Sequence, residues 1–146
     1  NFDDEILEEY FMIANQHVHV LDEFNDFMEE EIYQMMIAAT ENQDELILEN
    51  TTTLKVARWW DKACDIIPCN GGKDIGIQKI LDYFNFNKEE AMAFGDGGND
   101  ISMLKYVGTG VAMGNAKDDI KAIADYITDS VQEDGIVSAL KHFDIL

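Results

Sequence analysis

Two carboxylates surround a pair of glycines in the segment "AMAFGDGGNDISML", residues 91–104. Asp96 and Asp100 are four residues apart, and Gly97 and Gly98 lie between them. The apolar run "AMAF" precedes this loop, and a segment with apolar residues at helical spacing follows it. A plain turn needs one glycine and one Asp or Asn. The loop therefore carries more polar groups than a turn requires.

These residue types favour a cation with a phosphate beside it. Two ionised carboxylates in a confined site repel each other, and a hard divalent cation removes that repulsion. Mg²⁺ suits the set, because it binds one or two carboxylates and keeps waters or phosphate oxygens as its other ligands. Asn99 or Asp100 can cap the following helix, whose free N–H groups attract anions, and Gly97 and Gly98 allow positive φ and close approach. The alternative is a tight turn with an N-cap and no ligand.

The elements around the loop indicate a parallel sheet. After Asn70, short buried-strand patterns alternate with helical patterns, which predicts βαβ units with helices on the sheet faces. The predicted strands are "AMAFG", "GTGVAMG" and "DYITD", and the predicted helices are "DIGIQKILDYFNF", "NDISMLKYV", "NAKDDIKAIA" and "DGIVSALKHF". In such sheets, ligands bind beyond the carboxyl ends of the strands, and Asp96 follows the end of "AMAF".

The first part of the chain has a different pattern, which predicts a separate α+β unit over residues 1–66. Helices are predicted in "DDEILEEYFMIANQ", "EFNDFMEEE" and "ENQDELILEN", and strands in "HVHVL", "IYQMMIAAT", "TLKVARWW" and "ACDIIPC". The last two strands are expected to pair through a short turn. Residues 67–146 form the second predicted unit.

The charge excludes two classes of partner. The net charge is −20, with 30 acidic and 10 basic residues, and residues 1–54 contain no Lys or Arg. This distribution argues against nucleic-acid binding and against docking on anionic membranes. No apolar run of eighteen residues and no signal-peptide pattern is visible, so we predict a cytoplasmic protein.

Two further residue pairs have modest interpretations. Cys64 and Cys69 form a single C-x4-C pair, which is weak for zinc or a disulfide and indicates two small buried residues in a reducing compartment. His17 and His19 alternate in "HVHVL", and without a third ligand they are interpreted as exposed strand residues.

The motifs resemble a known family. "GDGGNDISML" resembles motif IV of the haloacid-dehalogenase superfamily of phosphohydrolases. "CDIIPCNGGKDIGIQKIL" and "VGTGVAMGNAKDDIKAIADYITDSVQEDGIVSAL" resemble its Cof-like subgroup, and the likeness extends from about Leu54 to Leu140. The resemblance implies the C-terminal half of a Rossmann-like α/β core over residues 67–146, with part of an α+β cap domain over residues 1–66.

The resemblance also implies residue roles. Asp96 matches the direct Mg²⁺ ligand, and Asp100 matches a second acid that acts as a ligand or through water. Lys73 matches the lysine that contacts the nucleophilic carboxylate and the phosphoryl oxygens, and Asn99 matches an amide that holds the phosphate. Arg58 is a candidate substrate contact from the cap, the alternative being cap packing with Arg58 at the surface.

The implied function is a Mg²⁺-dependent phosphomonoesterase acting on small phosphorylated metabolites such as sugar phosphates. The family's nucleophile and general acid form a D-x-D motif, which does not occur in these 146 residues. We therefore expect the nucleophile, and the motif II Ser or Thr, in an N-terminal half that partners this chain, and we expect the chain alone to be inactive. A sugar phosphomutase with the same site, or a non-catalytic chain that kept the metal loop, are the alternatives.

Overall fold

The structure is a computed structural model, and it describes residues 8, 9, 12 and 31–146. Glu8, Glu9 and Met12 are helical, in agreement with the first predicted helix. The predictions for "HVHVL", with its two histidines, lie outside the described residues, as does nearly all of "EFNDFMEEE".

The first sheet is antiparallel and has the strand order β1-β3-β2. Its strands are β1 (Met35–Ala38), β2 (Leu54–Trp60) and β3 (Ala63–Pro68). A 3₁₀ turn (Glu41–Gln43) and helix α1 (Asp44–Leu48) connect β1 to β2. The predicted pairing of β2 with β3 is confirmed, and its register shifts between Arg58 and Trp60.

The second sheet is parallel and has the order β4-β5-β6. Its strands are β4 (Met92–Gly95), β5 (Thr109–Ala112) and β6 (Tyr126–Ile127). The flanking helices are α2 (Lys73–Phe84), α3 (Ile101–Tyr106), α4 (Asp118–Lys121) and α5 (Gly135–His142). The predicted parallel pairing of "AMAF" with "GVAM" is confirmed, and so is the α/β fold class.

Apolar burial holds α3 and α4 on the second sheet. Leu104 of α3 and Ile120 of α4 are both 1% exposed and pack with Ala93 and Ala112 of the strands. Fully burying a large aliphatic side chain contributes about 1.5–3 kcal/mol. This packing fixes where α3 begins, and thus fixes the loop that carries Asp96.

The two ends of α2 are set by special backbone conformations. Gly72 has φ 127° directly before the helix, a conformation that other residues rarely adopt, and Asn85 ends the helix in the left-handed conformation. Lys73 is the first residue of α2.

The cysteine prediction is half right. Cys64 of β3 is fully buried, and burial raises the pKa of its thiol. Cys69 is exposed, because it follows the last residue of β3, where the chain leaves the sheet. Among the residues that the structure describes, no helix is long and apolar enough to cross a membrane.

Candidate functional site

A buried carboxylate organises the loop between β4 and α3. Asp100 is 6% exposed, and its Oδ2 accepts the backbone N–H groups of Asp96 and Gly97, both at 3.0 Å. Its Oδ1 accepts a hydrogen bond from the ammonium group of Lys73 at the start of α2. Asp100 thus fixes the backbone of the loop and ties the loop to α2.

Asp100 stands at the N-cap position of α3, one of the two predicted positions, but its side chain does not cap that helix. The carboxylate bonds to the N–H groups at the start of the loop instead. Gly95 makes room for this arrangement, because a Cβ at Gly95 would lie 2.6 Å from the Cβ of Asp100.

Asp96 follows the carboxyl end of β4 and is exposed. Its Oδ2 accepts a 2.7 Å hydrogen bond from Nδ2 of Asn115, a residue that the sequence reasoning missed. The signal was present, since Asn115 comes soon after the end of β5, the strand beside β4. The carboxyl ends of neighbouring parallel strands meet at one edge of a sheet.

The glycines of the loop serve close packing and not positive φ. Gly97 has φ −100°, and within the described residues Gly72 is the glycine with positive φ. The loop therefore does not use the positive φ that these glycines allow, but it does use the close approach. A Cβ on Gly98 would lie 2.6 Å from the carbonyl oxygen of Arg58 in β2. Gly98 is required because the loop touches the first sheet there.

Two cavities meet at Asp96. One, of about 420 Å³, is lined by Lys73, Asp96 and Asp100 together with apolar residues of the second unit. The other, of about 380 Å³, lies between the loop and the first sheet. Its lining includes Trp59, Trp60, Asp61, Asp96, Gly98, Lys117 and Asp119. Asp96 is thus accessible from both sides of the loop.

An exposed ion pair crosses the rim of the second cavity. Lys117 Nζ donates to Asp61 Oδ1 at 2.6 Å, which joins the β2–β3 turn to the segment before α4. The hydrogen bond from Lys117 lowers the pKa of Asp61, and the same bond raises the pKa of Lys117. The pair links the two sheets beside the cavity.

Arg58 does not lie at the surface as the packing alternative assumed. Its guanidinium pairs with Asp44 and donates to the carbonyl oxygen of Ala39 at 2.7 Å, and its side chain is 19% exposed. These contacts hold the first sheet to α1. Arg58 also lines the cavity between the loop and the first sheet, and its substrate role stays a prediction.

The structure brings three of the five predicted site residues to one cavity, which Asn99 and Arg58 do not line. Lys73, Asp96 and Asp100 line one cavity, whereas Asn99 lines a cavity of about 310 Å³ on the other side of the loop, with Lys55 and Ser102. The phosphate role of Asn99 stays a prediction.

The donor groups fit part of a Mg²⁺ site. Among the described residues, no group of three or more His, Cys, Asp or Glu side chains is arranged to hold a metal. Mg²⁺ needs only one or two protein carboxylates. Asp96 is exposed and has one carboxylate oxygen engaged by Asn115, whereas both oxygens of Asp100 are engaged. Asp96 is the direct ligand that this geometry favours.

Comparison with known proteins decides the family. A family model described as haloacid dehalogenase-like hydrolase matches residues 3–140. The chain belongs to this family. It is 40% identical over 116 residues to YkrA of Bacillus subtilis (strain 168), which is named as a phosphatase, and the match covers 80% of this chain and 45% of YkrA. Kanosamine-6-phosphate phosphatase of the same organism is 43% identical over 77 residues, covering 53% of this chain and 27% of that protein.

Solved structures agree with the parallel-sheet fold. A sugar phosphatase of haloacid-dehalogenase subclass IIB superposes with a TM-score of 0.87 at 38% identity, covering 98% of this chain and 55% of that chain. A phosphatase of the superfamily from Bacteroides thetaiotaomicron superposes with a TM-score of 0.85 at 34% identity, and the match covers 98% of this chain and 54% of that chain. The resemblance to this superfamily and its Cof-like subgroup is thereby confirmed. The chain spans about half the length of these relatives.

Proposed function

We propose that the protein containing this chain is a Mg²⁺-dependent phosphomonoesterase that acts on small phosphorylated metabolites such as sugar phosphates. The observation that carries the proposal is the convergence of Lys73, buried Asp100 and exposed Asp96 beside one cavity at the carboxyl end of β4. The similarity to a kanosamine-6-phosphate phosphatase and to a sugar phosphatase supports the substrate class.

Each residue has a chemical task in this proposal. Mg²⁺ bound at Asp96 would neutralise phosphate charge and stabilise the charge that develops as phosphate is transferred. Lys73 is about half exposed, so its ammonium can contact a phosphoryl oxygen while it remains paired with Asp100. Asp100 positions Lys73 and holds the loop. In a chain of net charge −20, a phosphate requires such local positive charge.

The covalent step requires a residue that this chain does not supply. We propose that the first aspartate of a D-x-D motif in an N-terminal half of the same protein attacks the phosphorus as the ester P–O bond breaks, and that the second aspartate protonates the departing sugar oxygen. Water then attacks the phosphorus of the aspartyl-phosphate, which releases inorganic phosphate and restores the free aspartate. Residues 67–146 would contribute half of the core domain, and residues 1–66 part of the cap. The cavity of about 380 Å³ between them lies within the size range of small-molecule sites.

The test is hydrolysis of a panel of sugar phosphates by the full-length protein, followed as release of inorganic phosphate with and without Mg²⁺. We expect turnover that EDTA abolishes and Mg²⁺ restores. Asp96→Asn should reduce turnover at least about a hundredfold, since a metal clamp on phosphate contributes several kcal/mol. Phosphate that moves to another carbon of the sugar would instead identify a phosphomutase. Full activity of Asp96→Asn with wild-type Mg²⁺ dependence would refute the proposed site.

A further inference from the structure

The side chain of Asn115 connects groups that follow all three strands of the second sheet. Asn115 itself follows β5, and its Nδ2 donates to Oδ2 of Asp96, which follows β4, at 2.7 Å. Its Oδ1 accepts the backbone N–H of Val131, which follows β6, at 3.1 Å. A single amide thus joins the candidate ligand to two neighbouring loops.

The backbone contact determines which way the amide points. The Val131 N–H can only donate, so the carbonyl oxygen of the Asn115 side chain must face it, and the NH₂ group must then face Asp96. The reversed amide would set its oxygen against a carboxylate and its NH₂ against an N–H group, losing both hydrogen bonds. The donor is therefore presented to Asp96 before any ligand binds.

The two loops are themselves locked together. Gly114, the neighbour of Asn115, donates its N–H to the carbonyl oxygen of Asp129 at 3.0 Å. A Cβ on Gly114 would lie only 2.7 Å from the backbone nitrogen of Ser130, the neighbour of Val131. Asn115 and Val131 are thus held at a fixed separation by backbone packing.

We infer that Asn115 is a positioning residue for Asp96. It holds one carboxylate oxygen in place and leaves the other available at the cavities that Asp96 lines. A carboxylate ordered in advance loses less rotamer freedom when it binds a cation, so the affinity for the cation is higher. The inference rests on the proposed function, because it takes Asp96 as the Mg²⁺ ligand.

The test is Mg²⁺ binding by the full-length protein, measured by isothermal titration calorimetry without substrate. Asn115→Ala should raise the Mg²⁺ Kd about tenfold, the low end of the cost of losing a residue that orients a metal ligand. At saturating Mg²⁺ its kcat should return to within about threefold of wild type, because a positioning defect is overcome once Asp96 is loaded. Asn50→Ala, an exposed asparagine in the turn after α1, is the matched control and should leave the Kd unchanged.

A second variant isolates the orienting contact. Val131 is the first residue of a 3₁₀ turn, and Ser130 before it is extended, so Val131→Pro is sterically compatible. It removes the N–H that orients Asn115, and the Mg²⁺ Kd should rise about three- to tenfold. Thermal unfolding without Mg²⁺ confirms that both variants are folded.

The outcomes separate the inference from the proposed function. If Asp96→Asn abolishes Mg²⁺ binding but both Asn115→Ala and Val131→Pro bind Mg²⁺ within twofold of wild type, Asn115 does not position Asp96 and the proposed function stands. A kcat for Asn115→Ala that stays low at saturating Mg²⁺ also overturns the inference. If Asp96→Asn binds Mg²⁺ like wild type, the proposed site and the inference both fail.

Discussion

Asp96 and Asp100 should respond in opposite ways to the same chemical change. Both Asp→Asn substitutions preserve shape and remove one negative charge. Asp100 is buried and accepts three hydrogen bonds, whereas Asp96 is exposed and its carboxylate accepts one, from Asn115. We therefore expect Asp100→Asn to lower the free energy of unfolding and Asp96→Asn to abolish Mg²⁺ binding with little effect on stability.

The size of the stability loss follows from the contacts of Asp100. A hydrogen bond to a charged group contributes about 1.5–3 kcal/mol, and a neutral one about 0.5–1.5 kcal/mol. Neutralising the acceptor of two backbone N–H groups thus costs about 2 kcal/mol. The pair with Lys73 adds about 0.5 kcal/mol, because that side chain is half exposed and water screens it. Asp100→Asn should lose about 2–3 kcal/mol in total.

Urea unfolding of the full-length protein without Mg²⁺, followed by circular dichroism, measures this loss. With a slope of about 1–3 kcal/mol/M, the midpoint of Asp100→Asn should fall by about 1 M. Asp96→Asn and the control Asp118→Asn, an exposed acid of α4, should change stability by no more than about 0.5 kcal/mol. Asp119 is unsuitable as a control because it lines the same cavity as Asp96.

Adding Mg²⁺ completes the comparison. A ligand at a hundred times its Kd stabilises the folded state by about 2.7 kcal/mol. Wild type and Asp100→Asn should both gain stability with Mg²⁺, and Asp96→Asn should gain none. Equal urea midpoints for the two variants, or a Mg²⁺ response that survives only in Asp96→Asn, would refute the assignment of structural and ligand roles.

Four further outcomes are expected. Gly98→Ala should destabilise the protein by about 1–3 kcal/mol, since its Cβ would lie 2.6 Å from a carbonyl oxygen. Gly76→Ala, whose Cβ meets nothing within 4 Å, should instead stabilise α2 by about 0.5–1 kcal/mol. Urea midpoints that shift in the same direction from wild type in both glycine variants would contradict this. The pair with Lys117 lowers the pKa of Asp61, so its stabilisation is present above the unfolded-state pKa of Asp61 and is lost as the pH falls through the lowered folded-state pKa. Carboxyl NMR titration should show a higher pKa for Asp61 in Lys117→Met than in wild type. An unchanged pKa of Asp61 would count against the pair. Lys73→Ala should reduce kcat at least about tenfold, while its Mg²⁺ affinity stays within about twofold of wild type. Weakened Mg²⁺ binding would contradict the proposal that Lys73 contacts the phosphate.

The fold was predictable where local pattern and topology agree. The alternation of short apolar runs with helical periodicity after Asn70 requires crossover connections, and the parallel sheet follows from them. The β2–β3 hairpin was predictable because its two strand patterns are separated by two residues, Asp61 and Lys62. The exposure of Cys69 was not predictable, because residue type alone does not reveal where a strand leaves its sheet.

The site was predictable only in part. Spacing indicated that Asp96 and Asp100 share a loop, but not that Asp100 turns back to bind the N–H groups before it. Nor could spacing show that Gly98 is needed for contact with Arg58, since that contact joins two separate sheets. Such contacts depend on how distant segments approach each other in space.

The order of the second sheet explains why Asn115 contacts Asp96. Because β5 lies between β4 and β6, the loop after β5 is the neighbour of both other loops. A side chain in that central loop can accept a hydrogen bond from one neighbour while it donates to the other, as Asn115 does with Val131 and Asp96. Within the described sheet, a residue in the loop after β4 or after β6 has only the loop after β5 as its neighbour. Strand order therefore makes the loop after β5 the place from which a single amide can orient the metal ligand.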